Sequence, residues 1–183
     1  MPEDSGAATG RRQMLDHDQR QSIERDIVLI ARQEETLVLP TFDEDVAWAL
    51  GSRLRRLGAG LPIVIDVRRF GLPLFFTALP GSAPDNVEWV RRKSSLVARF
   101  YRASYAVGLD LRLKETTLTS RFGISEADYA AHGGSFPIRT VSSGIVGSLT
   151  VSGLRQRDDH ALVVRALAEH LDIDPAETAL PDQ

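Results

Sequence analysis

No cysteine occurs among the 183 residues, and that single absence removes disulfides, thiolate metal sites, iron–sulfur clusters and cysteine nucleophiles together. Long apolar runs are missing as well. Nothing approaches the roughly 20 apolar residues of a membrane span, and the opening residues are too polar for a secretory signal, so a soluble cytoplasmic chain is expected. A basic excess is also lacking: 22 Lys and Arg stand against 25 Asp and Glu, which argues against a dedicated nucleic-acid binder. Walker, HExxH and GxSxG motifs are absent, and the glycines do not follow GxGxxG. Spacing alone therefore points to neither a nucleotide site nor a hydrolase site.

What is present suits one globular domain of ordinary size, with 43% hydrophobic and 26% charged residues. Residues 1–18 read as a disordered leader, 19–172 as a single α+β domain, and 173–183 as a polar tail. Ile23, Ile27 and Ile30 recur at helical spacing within a first helix, 19–33. A short extended piece follows at 36–39. Thr41 or Asp43 caps a helix over 44–57, with Gly58 at its end. The run 61–79 is the strongest hairpin signal, with β-branched residues in its first arm, aromatics in its second and a turn over 68–71. The pattern then predicts one long helix over 87–105, on which Asn86, Trp89, Lys93, Val97, Phe100 and Ser104 share a stripe. Residues 109–118 fit strand or loop. Ser125 and Asp128 are spaced as a capping signature for a short helix ending at Gly133. Strands over 135–141 and 144–152 form a second hairpin, and a last helix spans 158–171.

The densest information lies between Asp128 and Leu154. Gly133 and Gly134 free the backbone beside His132, which makes a turn and, behind it, a pocket rim. His132 has two readings: an imidazole placed to bind metal or shuttle protons, or a helix-terminal residue complementing the dipole. Lys93 likewise either aims a cation at an anionic ligand from a wall shared with Trp89, or snorkels from an apolar face. The run Arg91-Arg92-Lys93 reads as a solvated helix surface. Asp158, Asp159 and His160 read as helix-opening residues, explained by capping and the dipole.

These same segments carry a resemblance. Trp89-Val90-Arg91-Arg92-Lys93, the run YAAHGGSFPI from Tyr129 to Ile138, and GSLTVSGLRQRDDH from Gly147 to His160 resemble the haem-degrading HbpS-like and GlcG-like superfamily. The likeness extends over about residues 20–172, within a branch shared by bacteria and fungi. It implies a five-stranded antiparallel sheet flanked by helices, as in profilin-like and PAS-like folds, and dimers that assemble into rings or larger homo-oligomers. Some members of the superfamily bind haem and degrade it. By motif match, the resemblance places Asn86, Trp89, Lys93, Tyr129, His132, Gly133, Gly134, Phe136 and Pro137 around a shared ligand pocket. Any haem would rest on His132, the one histidine of that set, on Tyr129, or on a surface site.

Three functions follow as expectations. The first is a homo-oligomeric ligand-binding or sensory protein for haem or another small anion. The second is an enzyme using His132 as iron ligand or general base beside Lys93. The third is a ring-forming scaffold without small-molecule chemistry. Nucleic acid and membrane are not expected partners.

Overall fold

The expected hairpin at 61–79 forms the two strands β2 (Val64–Arg69) and β3 (Leu72–Ala78), joined at Gly71, whose φ of 80° only glycine adopts easily. This computed structural model describes residues 15–182. Residues 1–14, the greater part of the expected leader, lie outside the described residues. The second hairpin pairs β4 (Ser135–Thr140) with β5 (Gly144–Ser152). With β1 (Val38–Leu39), the described residues form a five-stranded sheet in the order β1-β4-β5-β2-β3. Four of its strands pair antiparallel, as expected. The β1 pairing with β4 is parallel, so the sheet is mixed rather than purely antiparallel. Alternation of side chains marks a strand but not its direction, which here is set by how the chain arrives from the first helix.

Helix α1 (His17–Thr36) opens with a reciprocal capping box between Asp16 and Gln19, and α2 (Glu44–Leu57) is capped by Asp43, whose carboxylate accepts from the Val46 N–H at 2.9 Å. The long helix expected over 87–105 is broken. α3 (Asp85–Phe100) ends at Tyr101, which takes the left-handed conformation at φ 54° while its N–H bonds back to Val97. Ser104 consequently leaves the α3 stripe and opens α4 (Ser104–Leu113), which occupies much of the segment expected as strand or loop. No helix forms at Ser125. The helical turn lies earlier, as α5 (Leu118–Phe122), capped by Thr117 and stopped at Gly123. The last long helix is α6 (Gln156–His170), followed by the single turn α7 (Pro175–Thr178). Around α7, Ile173 and Leu180 pack on the main core and Thr178 is buried.

The two faces of the sheet differ in chemistry. One carries Ile65, Val67, Phe136, Ile138, Leu149 and Val151, all essentially inaccessible, against α2, α6 and their neighbours. The other, beneath α3, is buried but polar. Asp66, Thr150 and Ser135 lie side by side on adjacent strands, with Ser135 Oγ and Thr150 Oγ1 2.8 Å apart, and Asp66 takes Arg68. Pairing within this row keeps its desolvation tolerable.

On the apolar side, one histidine is sealed in. Gln33 donates through Nε2 to the Thr178 carbonyl at 2.6 Å, which leaves its Oε1 facing His160 Nε2 at 2.9 Å and places the His160 proton on Nε2. His160 Nδ1 has no partner among the described residues. Burial, aided by the charge of Arg157, pushes its pKa down from 6.5 to about 3. Below pH 6.5 the unfolded chain therefore takes up a proton that the folded chain refuses, and stability falls as pH drops from 6.5 toward 3. In His160→Gln, the dependence of unfolding free energy on pH across this window should be shallower by about 1.4 kcal/mol per pH unit. Denaturant titrations at a series of pH values measure this, and parallel slopes in the two proteins would refute it.

Candidate functional site

The Gly133-Gly134 pair is required by crowding as much as by flexibility. A Cβ on Gly133 would lie 1.9 Å from the Gln156 carbonyl oxygen. One on Gly134, whose φ is 120°, would lie 2.3 Å from the Val151 oxygen and 2.9 Å from Lys93 Nζ. Two glycines thus let the turn press between α3, the end of β5 and the start of α6. His132 is the residue just before the pair, and the squeeze fixes where it projects.

Beneath the turn lies a buried ion pair. Lys93, on α3, directs Nζ to Asp159 Oδ2 at 2.8 Å, to the Val151 carbonyl at 3.2 Å and to Ser152 Oγ at 3.3 Å. All three ammonium donors are therefore engaged. The second oxygen of Asp159 accepts the Leu154 N–H at 3.0 Å, which holds the loop after β5. Burial pushes the lysine down and the aspartate up, and each partner's charge opposes that push on the other.

Above the pair, Trp89 meets His132 edge to face with ring centroids 4.9 Å apart, and Arg92 lies 4.1 Å over the Trp89 ring. Trp89 Nε1 donates to Asp85 at 2.8 Å. His132 is exposed at the turn. Its pKa is lowered, first by its partial desolvation, then by the charges of Lys93 and Arg92, which favours the neutral imidazole.

Three cavities meet at this histidine. The first, 260 Å³, runs between Trp89, Arg92, Arg112 and Tyr129. The second, 280 Å³, holds Asn86, Trp89, Lys93, Ser152 and Asp159. The third, 390 Å³, is walled by Tyr105, Arg112, Arg155 and Arg157. His132 borders all three.

Of the positions singled out from the sequence, Asn86, Trp89, Lys93, Tyr129 and His132 line these cavities, and Gly133 and Gly134 form the turn behind them. Phe136 and Pro137 do not line them. Both are buried within β4, and the Phe136 ring lies on the apolar face, 5.9 Å from the His160 ring. The run Arg91-Arg92-Lys93, expected as a solvated surface, separates into three roles. Arg91 pairs with Glu88 and Asp128, Arg92 covers Trp89 and donates to the Glu126 carbonyl, and Lys93 is buried. Successive helical residues point about 100° apart, so adjacency in sequence did not mean a shared surface. In the acidic opening of α6, only exposed Asp158 suits the dipole reading; Asp159 holds Lys93 and His160 belongs to the core. Arg112, Arg155 and Ser152 were not anticipated, since nothing local in the sequence connects them with His132.

The chain and its fold correspond to one family. The family described as haem degrading protein HbpS-like matches residues 42–168, and the chain belongs to it. Among its relatives, a UPF0303 protein of Acidobacterium capsulatum is 55% identical over 162 residues, covering 87% of this chain and 98% of its own. Among solved structures, that of the Ybr137w protein superposes with a TM-score of 0.75 at 30% identity, covering 80% of this chain and 87% of that one. A structure described as a PduOC:Heme complex superposes at 0.53 with 18% identity, covering 72% and 94%, and shares the fold. Among the described residues, no helix is long and apolar enough to cross a membrane.

Removing one member of the buried pair should cost more than removing both. Lys93→Met, which strands the Asp159 charge, is expected to lower stability by about 3–5 kcal/mol, while Lys93→Met with Asp159→Leu should recover most of that loss. Urea unfolding of the two variants decides it: equal losses would mean that the pairing is not what matters there.

Proposed function

We propose that the protein binds a small anionic ligand, haem being the leading candidate, in the cavities that meet at His132, and that it works in the cytoplasm as a homo-oligomer. The observation that carries this reading is the position of His132. A neutral imidazole stands where three cavities converge, flanked by Trp89 and by arginines on two of the three walls. Lys93, whose charge is taken up by Asp159, is not the anion receptor. That role falls to Arg92, Arg112 and Arg155, of which Arg112 and Arg155 make no ion pair among the described residues.

Haem suits this donor set: His132 would hold the iron, Trp89 offers a ring face or edge to the macrocycle, and the arginines would take the carboxylates. The haem named with the PduOC structure and the haem chemistry named for the family support the choice. Assembly into a homo-oligomer rests on the family resemblance. An enzymatic reading shares the same site, with neutral His132 as iron ligand or base, and is favoured by the buried Lys93–Asp159 pair opening into the second cavity.

Haemin titrated into the protein should give a saturable change in the Soret region, weakened at least about tenfold in His132→Ala. Arg112→Glu should weaken binding without altering the shape of the bound spectrum, since it removes a counter-charge and not a ligand. Loss of the Soret band on adding ascorbate would move the assignment from binding to turnover. Saturable binding indifferent to His132→Ala would remove iron from that residue, and absence of saturable binding would retire haem.

A further inference from the structure

The long free edge of the sheet carries no charge, and most of its length is open. β3 is the terminal strand, and its sequence, LPLFFTA, contains no charged side chain; Pro73 and the register shift opposite Val67 and Arg68 interrupt its first residues, which leaves Phe75–Ala78 as the regular open stretch. Edge strands are ordinarily blunted by charge, brevity or cover, because their outward N–H and C=O groups template another strand. Here Leu72 and Phe76 are 54% and 47% exposed. Leu79 N–H bonds to the Ile63 carbonyl, so alternation turns the backbone of Phe76 and Ala78 away from β2, toward the open side. At the opposite edge β1 is only two residues long.

Beside the β3 edge runs a groove of 510 Å³, walled by Leu74–Thr77 on one side and by Trp48, Ser52, Arg55 and Arg56 of α2 on the other. Gly51 brings the helix this close, since a Cβ there would sit 2.3 Å from the Phe75 ring. Trp48 is 64% exposed and stands edge-on to Phe75, with centroids 5.2 Å apart, so its ring lies at the mouth of the groove. Arg53 is held by Glu169, but exposed Arg55 and Arg56 form no ion pair among the described residues. A helix wall, an open strand edge, an aromatic ring and two uncommitted cations are the parts of a strand-addition site.

We propose that this groove binds an extended, acidic peptide segment of a partner protein, which adds as a sixth strand to β3, sets an apolar side chain against Trp48 and places carboxylates on Arg55 and Arg56. Charge decides between this occupant and a second copy of the chain. The acids that an antiparallel copy would bring from its own α2 are Glu44, already bonded to Arg69, and Asp45. A partner carrying its own acids satisfies both arginines. The site lies on α2 and β3, apart from the cavities around His132 on α3 and α6.

The probe is a fluorescein-labelled synthetic peptide of about eight residues alternating valine and glutamate, a length matched to an average strand. Binding is read by anisotropy and by Trp48 fluorescence in a Trp89→Phe background. Saturable binding is expected, weakened at least about tenfold by Arg55→Ala with Arg56→Ala, and similarly by Phe76→Pro, which removes one outward N–H from an edge strand. Circular dichroism and thermal unfolding confirm that each variant is folded. A valine–lysine peptide binding equally well, or indifference to Phe76→Pro in a folded variant, would overturn the proposal. So would failure of the acidic peptide to bind; if light scattering then shows self-association abolished by Phe76→Pro, the groove belongs to a second copy.

Discussion

The buried pair of Lys93 and Asp159 is the constraint from which the site follows. Either charge left alone in this setting would cost several kcal/mol, so the chain must bring α3 and α6 together at the end of β5. Ser152 and the Val151 carbonyl complete the ammonium, and the Leu154 N–H completes the carboxylate. No side chain fits between these groups. That is why Gly134 occupies the turn above them, while Gly153, after Ser152, is required separately, since a Cβ there would lie 2.3 Å from the Pro62 oxygen. His132 and Trp89 are held where they are because the backbone beneath them has no freedom to choose otherwise.

This pair also terminates a polar seam. Asp66, Thr150 and Ser135 form a buried row under α3, and Ser152 carries the same face to the ion pair. An apolar seam would have been simpler to bury. A polar one ties the register of α3 against the sheet to specific partners, because sliding the helix would leave hydrogen-bonding groups unpaired. The second cavity opens where this ordered polar layer meets solvent, which explains why an ammonium, a hydroxyl and a carboxylate share its wall with Trp89.

How much of this could be read from the sequence depends on the range over which each feature is determined. Helix α2 was legible because a capping residue, Thr41 or Asp43, and Gly58 bracket a periodic run, and both hairpins were legible because strand-forming runs flank short breaks, at Gly71 in one and at Ser142-Ser143 in the other. The break at Tyr101 was not, since no glycine or proline marks the left-handed residue. The direction of β1 was likewise unmarked. Within the site, His132 and the glycines stood out locally, whereas the role of Asp159 depends on a lysine 66 positions away and that of Arg112 on a helix not foreseen. Phe136 shows the converse: the motif match to the family suggested the pocket, but the alternation of β4 turned it into the core.

The division between frame and lining has a consequence for how such a fold can serve different ligands. The frame, comprising Lys93, Asp159, Gly133, Gly134 and Ser152, is buried and mutually dependent, so change there is paid for in stability. The lining residues Arg112, Arg155 and His132 are exposed, and Arg92 is half-buried; each contributes to the cavity walls without supporting the core. Substitution at these positions alters charge and shape in the cavities at little cost to folding. The cavity walls can therefore drift in chemistry while the ion pair, the glycine turn and the sheet stay fixed, and the fold by itself specifies the place of the cavities more firmly than their lining.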